Sequence, residues 1–240
     1  MKYNYVGKTG LMVSELCFGT MTFGGQKAGM WNNIGQLQQK EVNMMLEEVI
    51  NSGINFIDTA DIYSFGQAEQ LLGQGLKDLQ VPRDELVIAT KVLGKMKENR
   101  NSSGLSRYHI FNAVNDSLER LQLDHIDTLY IHGVDFKTSL EDVVRSLNDV
   151  VESGKVLYIA ICNWPAWMVA KAQAIAHFNG WLAWVRQQPG VTSTIIGAKN
   201  IEQLQSNVGS TDLYLSEADL LKIEEVSPLL KQYPGWMIEN

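Results

Sequence analysis

The stretch NSGINFIDTADIY, residues 51–63, passes from one kind of backbone to another and then to a third. Asn51 closes a run whose apolar positions Val42, Leu46, Val49 and Ile50 recur at helical spacing. Gly53 then stops that helix, predicted over 38–51. Asn55-Phe56-Ile57 reads as a buried strand that ends at Asp58, and Tyr63 follows one short loop later. The same joint recurs at ESGKVLYIAIC (152–162): a helix predicted over 140–151, with Ser139 as its N-cap, stops at Gly154 and a strand begins.

Helix, glycine, strand is the rhythm of a parallel sheet covered by helices. Six β-rich runs carry it: ELCFG (15–19), INFIDT (54–59), LVIATK (86–91), TLYIHG (128–133), VLYIAIC (156–162) and STIIGA (193–198). Helical patterns also fall at 106–121 and 166–178, and a second apolar helical piece covers 181–188. A doubly wound sheet and a (β/α) barrel both fit such a pattern. A dinucleotide-binding sheet should show GxGxxG after its first strand, whereas GTMTFGG (19–25) lacks that spacing. The reading is therefore α/β, a (β/α)8 TIM-barrel type, incomplete with six of eight strands identifiable, as a single domain over 1–240. MKYNYVGKTGLMVSE before it reads as a short β-hairpin turning at Lys8-Thr9-Gly10 and covering the barrel's amino end.

Composition narrows the function classes. The formal charge of −7 argues against a nucleic-acid binder. Two cysteines, Cys17 and Cys162, lie in apolar runs and suit buried thiols of a reducing compartment. No CxxC or HExxH spacing occurs among the scattered histidines, so no metal site is expected. The amino terminus is no signal peptide, and no 18-residue apolar run is present. These features predict a cytoplasmic protein without a membrane or nucleic-acid partner, and leave a homo-oligomer open.

The polar residues fall in one place. Asp58 ends the second strand, Lys91 the third and His132 the fourth, and Tyr63 and Asn163 follow strand ends. In a parallel barrel all of these open on the carboxyl face. A free phenol, with a pKa of about 10, is a poor acid near neutrality, and a nearby ammonium eases release of its proton. Lys91 supplies the ammonium, Asp58 keeps it charged and in place, and His132 orients a carbonyl or shares the proton. Such a set protonates a carbonyl oxygen while hydride arrives at carbon. Taken singly, each residue is more often a cap, a loop residue or a packed ring; their joint occurrence carries the argument.

The stretches LCFGTMTFGG, NFIDTADIYSFGQAEQLLGQGLK, LVIATK, LDHIDTLYIHGVD, ESGKVLYIAICNWPAW and LAWVRQQPGVTSTIIGAKNIEQLQSN resemble the aldo-keto reductase family, in the family's order. The resemblance implies a (β/α)8 barrel reducing aldehydes and ketones with NADPH, and a catalytic tetrad of Asp58, Tyr63, Lys91 and His132 with Tyr63 as general acid. It also implies that Gly19, Thr20 and Met21 line the nicotinamide ribose, with Asp58 beside them. Cys162 and Asn163 would meet the carboxamide, and Gly197, Lys199, Gln203 and Asn207 the adenosine-phosphate end. Some relatives are regulatory subunits of membrane channels, so a silent nucleotide-binding or partner-binding protein is the alternative.

Two departures are small: Ala160 and Cys162 stand where the family usually has glycine and serine. The third is large. After AKAQAIAHFNGW the family continues into a sixth and a seventh strand, whereas here Gly180-Trp181 runs straight into LAWVRQQPG, an internal deletion near 180–182. The segment was removed from the chain, or the gene lacks it, or the fifth strand pairs with the last in a contracted barrel. Weak cofactor binding and low or no turnover of 4-nitrobenzaldehyde are expected.

Overall fold

The structure is a computed structural model that describes residues 1–25, 31, 33–176, 214–216 and 220. The chain divides into two compact units, Met1–Asn163 and Trp164–Asn240.

The first unit opens with an antiparallel hairpin, β1 (Tyr3–Tyr5) and β2 (Met12–Ser14), in register Tyr3 to Ser14. The Val6 N–H donates to Leu11 O at 2.8 Å, and Gly10 takes a φ of +78°, so the turn falls where Lys8-Thr9-Gly10 predicts it. Asn55, just ahead of a sheet strand, ties the hairpin down. Its Oδ1 accepts from the Ser14 N–H at 2.7 Å, and its own N–H donates to Ser14 Oγ at 3.2 Å. The hairpin therefore does cover the amino end of the sheet.

Five parallel strands follow: β3 (Cys17–Gly19), β4 (Phe56–Asp58), β5 (Val87–Val92), β6 (Ile126–Ile131) and β7 (Val156–Ile161). Their spatial order equals their order in the chain, β3-β4-β5-β6-β7. The order never reverses, so the switch point of a doubly wound sheet does not arise. Consecutive parallel neighbours are the wall of a barrel. The predicted sixth strand at 193–198 lies outside the described residues, as do the helical piece at 181–188 and the junction near 180–182.

Helices α1 (Gln39–Asn51), α2 (Gln67–Asp78), α3 (Arg107–Leu121) and α4 (Leu140–Glu152) alternate with these strands. Each buries one stripe: Val42, Leu46 and Val49 on α1, and Val143, Leu147 and Val150 on α4. Against them stand Ile57, Ile88, Leu129 and Ile131, all fully buried. Ser139 caps α4 by accepting from the Asp142 N–H at 3.1 Å, and Gly154, at φ +74°, ends it, both as the sequence predicts.

Helix α2 has no counterpart in the sequence reading. Gly73 and Gly75 interrupt its propensity. Tertiary packing explains both: a Cβ at Gly73 would run into the Leu121 carbonyl of α3, and one at Gly75 into Leu46 Cδ1 of α1. The second unit contains α5 (Ala166–Ala176), where a helix over 166–178 is expected. Among the described residues no helix is long and apolar enough to cross a membrane. One expectation about the thiols needs correcting: Cys17 is exposed and Cys162 only half-buried, both as free thiols. The paired part of β3 is too short to enclose a side chain at its first residue.

Candidate active site

Sheet register brings the polar strand ends together. Asp58 is level with Gly19 of β3 and Ala89 of β5, and Lys91 lies two residues further along β5, level with Tyr130 of β6. Beyond the ladder the backbone stays in step. The Thr59 N–H donates to Ala89 O, the Asp61 N–H to Lys91 O, the His132 N–H to Val92 O and the Cys162 N–H to Ile131 O. This continued pairing holds the loop residues at fixed heights above the sheet.

Lys91 is the centre of the site and is only 8% exposed. Its ammonium donates to Asp58 Oδ2, to Thr59 O at 2.8 Å and to the Tyr63 hydroxyl at 3.2 Å. All three of its N–H donors are thus directed. Burial works against its charge. The hydrogen bond and negative charge of Asp58, then Tyr63, outweigh burial and hold its pKa above the ordinary lysine value. Lys91 is therefore a permanent cation at neutral pH.

Tyr63 is gripped from several sides. Trp31 meets its ring edge-on at 5.8 Å, and His132 does so at 5.9 Å between centroids with the planes at 78°. Burial and the Lys91 charge lower the His132 pKa, with Asp58 opposing, so its imidazole is neutral at pH 7.

A left-handed turn follows Tyr63. Ser64, Phe65 and Gly66 have φ values of 49°, 52° and 87°. Such backbone is costly for the two non-glycine residues and persists only when over-determined. Ser64 Oγ, donating to Phe23 O at 2.9 Å, supplies one restraint. Gln67 Oε1, accepting from the Gly25 N–H at 3.0 Å, supplies another.

The remaining predicted residues divide. Gly19 and Met21 are exposed at the end of β3, and the buried Thr20 Oγ1 has no hydrogen-bond partner among the described residues. Asn163, at φ +57°, donates through Nδ2 to His132 O at 2.8 Å, and the Cys162 thiol donates to Ile131 O at 3.3 Å. Burial pushes the Cys162 pKa up, so it stays a thiol. Gly197, Lys199, Gln203 and Asn207 lie outside the described residues. A surface cleft lies on the helical side, lined by Gln39, Gln67, Gln74, Lys97 and Glu119. It holds none of the strand-end residues, so reacting groups rather than volume locate the site.

Sequence reasoning missed several participants. The Thr59 carbonyl has no sequence signature, since every residue carries one. Trp31 lies in a long connection after β3, and nothing in its spacing points to Tyr63. Glu69 and Arg120, paired at 2.6 Å beneath the site, belong to α2 and α3.

Fold and site together define a parallel α/β barrel protein with a phenol coupled to a buried lysine–aspartate pair at its carboxyl face. The comparisons agree. The family model described as "Aldo/keto reductase family" matches residues 15–179, and the chain belongs to that family. Its fold is accordingly of the (β/α)8 type, of which the described residues supply five strands.

Norsolorinic acid reductase of Aspergillus flavus is 41% identical over 177 residues, 71% of this chain and 45% of that protein. Versiconal hemiacetal acetate reductase of Aspergillus parasiticus is 38% identical over 205 residues, 78% of this chain and 58% of that protein. A probable voltage-gated potassium channel subunit beta of Oryza sativa subsp. japonica is 34% identical over 190 residues, 79% and 55% respectively. The chain spans about half the length of the curated relatives it matches.

Proposed function

We propose that this chain is a carbonyl reductase that reduces a small aldehyde or ketone with NADPH, Tyr63 acting as general acid. The observation that carries this reading is the Tyr63 hydroxyl 3.2 Å from a Lys91 ammonium that Asp58 holds. NADPH, when bound, would supply the hydride for the carbonyl carbon. The chain's own residues do the rest. Tyr63 gives its proton to the carbonyl oxygen as negative charge builds there. Lys91 stabilises the phenolate left behind, at a distance where the pair is strongly coupled. Asp58 and the Thr59 carbonyl keep the ammonium from swinging away. His132, neutral and edge-on to Tyr63, offers an N–H to the carbonyl oxygen.

The residues present fit a nicotinamide at the end of β3 and β7. Thr20 Oγ1 is buried without a hydrogen-bond partner among the described residues. Its chain neighbours aside, no atom of the described residues lies within 4 Å of where a Cβ would stand at Gly19. Asn163 has its Nδ2 committed to His132 O, which leaves Oδ1 to face a carboxamide N–H. Gly197, Lys199, Gln203 and Asn207 remain, on resemblance, the adenosine-phosphate contacts, and a single domain over 1–240 is part of the same proposal.

Turnover of 4-nitrobenzaldehyde at high NADPH tests the reading. Slow but real turnover is expected, lowered by about 10²–10⁴-fold in Tyr63→Phe, the usual contribution of a positioned proton donor. NADPH fluorescence titration should give the same affinity for both proteins. No turnover above background, or turnover unchanged in Tyr63→Phe, overturns the reading. The match to a protein named as a channel subunit favours a second one, a nucleotide-binding partner protein. NADPH binding without turnover would select it.

A further inference from the structure

Asp61 stands between Asp58 and Tyr63 in the chain, yet it takes no part in the tetrad's hydrogen bonds. Its side chain is fully buried, and neither carboxyl oxygen meets hydrogen-bond geometry with any partner among the described residues. Buried carboxylates are normally paired, because an unpaired charge in the interior is strongly disfavoured. The groups around Asp61 are already engaged. Glu69 of α2, itself fully buried, accepts from Thr90 Oγ1 of β5 at 2.5 Å and from Arg120 Nε of α3 at 2.6 Å. Arg120 is thus spent on Glu69, and Lys91 on Asp58, Thr59 and Tyr63. Among the described residues no cation is left for a second carboxylate, and Glu69 adds a repulsive charge.

The backbone of Asp61 connects this pocket to the chemistry. The Asp61 N–H donates to Lys91 O at 3.2 Å, and the Tyr63 N–H donates to Ala60 O at 3.2 Å. Thr90, bound to Glu69, immediately precedes Lys91. A change of charge at Asp61 therefore acts on both ends of the Tyr63–Lys91 contact at once.

We propose that Asp61 is a positioning residue that works as the neutral carboxylic acid. With its proton in place the Tyr63 turn stays docked on the Lys91 strand; without it the turn loosens. The electrostatics agree. Burial, then the Glu69 charge, pushes the Asp61 pKa up to about 8, against the opposing pull of Arg120, the Ile62 N–H and Lys91. The effect on catalysis rests on the function proposed above; the ionisation and the loosening do not.

Two measurements need no turnover. The first is hydrogen–deuterium exchange over 59–66, corrected for intrinsic rate, at about pH 7 and about pH 9, on either side of the Asp61 pKa. Protection should fall in the wild type at the higher pH and stay level in Asp61→Asn, which keeps the shape and cannot ionise, while a 126–131 peptide changes in neither.

The second is the denaturant midpoint against pH. A carboxyl with a raised pKa binds its proton in the native state when the unfolded chain has lost it. Stability is then lost from about pH 4 up to about pH 8, where the slope ends. The difference between wild type and Asp61→Asn isolates this component, and Asp61→Leu substitutes if the amide does not fold. If turnover is present, the ratio of kcat/KM at about pH 9 to that at about pH 7 should be lower in wild type than in Asp61→Asn. Equal pH slopes of stability, or exchange over 59–66 that rises equally in both proteins, would overturn the proposal. Absent turnover would speak against the reductase reading alone.

Discussion

Burial shifts the pKa values of His132 and Asp61 in opposite senses. Burial and Lys91 hold the His132 pKa below the ordinary histidine value. A lowered histidine pKa means the unfolded chain binds the proton first as pH falls. Stability is therefore full above about pH 6.5 and declines below it. His132→Gln should show a shallower loss of urea midpoint between about pH 7 and pH 5 than the wild type. Equal slopes would show that His132 is not held neutral.

That Asp58, Tyr63, Lys91 and His132 would meet was legible because each follows or ends a recognisable apolar strand. Thr59 was not, because its contribution is a backbone carbonyl. Asp61 escaped for another reason: its role depends on which cations its neighbours have already taken, and no spacing records that.

At the level of elements, hydrophobic runs located every strand of the five-stranded sheet, but with different edges. ELCFG (15–19) pairs only over Cys17–Gly19, and INFIDT (54–59) only over Phe56–Asp58. The cause is visible at Ser14 and Asn55, whose side chains take hydrogen bonds that a longer ladder would have used. Helix α2 was invisible because its glycines are chosen by a neighbour. Gly73→Ala would gain helix propensity, yet its Cβ would strike backbone of α3. Overpacking of this kind costs about 1–3 kcal/mol, more than the propensity gain of roughly 1 kcal/mol. A lowered thermal midpoint is expected; a raised one would mean that α2 and α3 are not in close contact.

Considered as a whole, the chain presents consecutive parallel strands whose carboxyl ends bring Asp58, Tyr63, Lys91 and His132 together, with a hairpin at the other end. Alternation gave the parallel sheet, the missing GxGxxG spacing favoured the barrel, and the Lys8-Thr9-Gly10 turn gave the hairpin. In the function proposed above, the phosphate end of the cofactor is assigned by resemblance to the motif IIGAKNIEQLQSN, with Lys199 as the cation for a 2′-phosphate. NADPH should then raise the thermal midpoint more than NADH at equal concentration, and Lys199→Ala should erase the difference. Equal shifts in the unaltered protein would remove Lys199 from the account.

The claim beneath all of these is that phenol and ammonium act as one unit. A double-mutant cycle on kcat/KM with Tyr63→Phe and Lys91→Met measures that directly. The account predicts that the double variant is no slower than the worse single variant by more than about threefold, since either change already disables the unit. Losses that multiply across the two positions would contradict it.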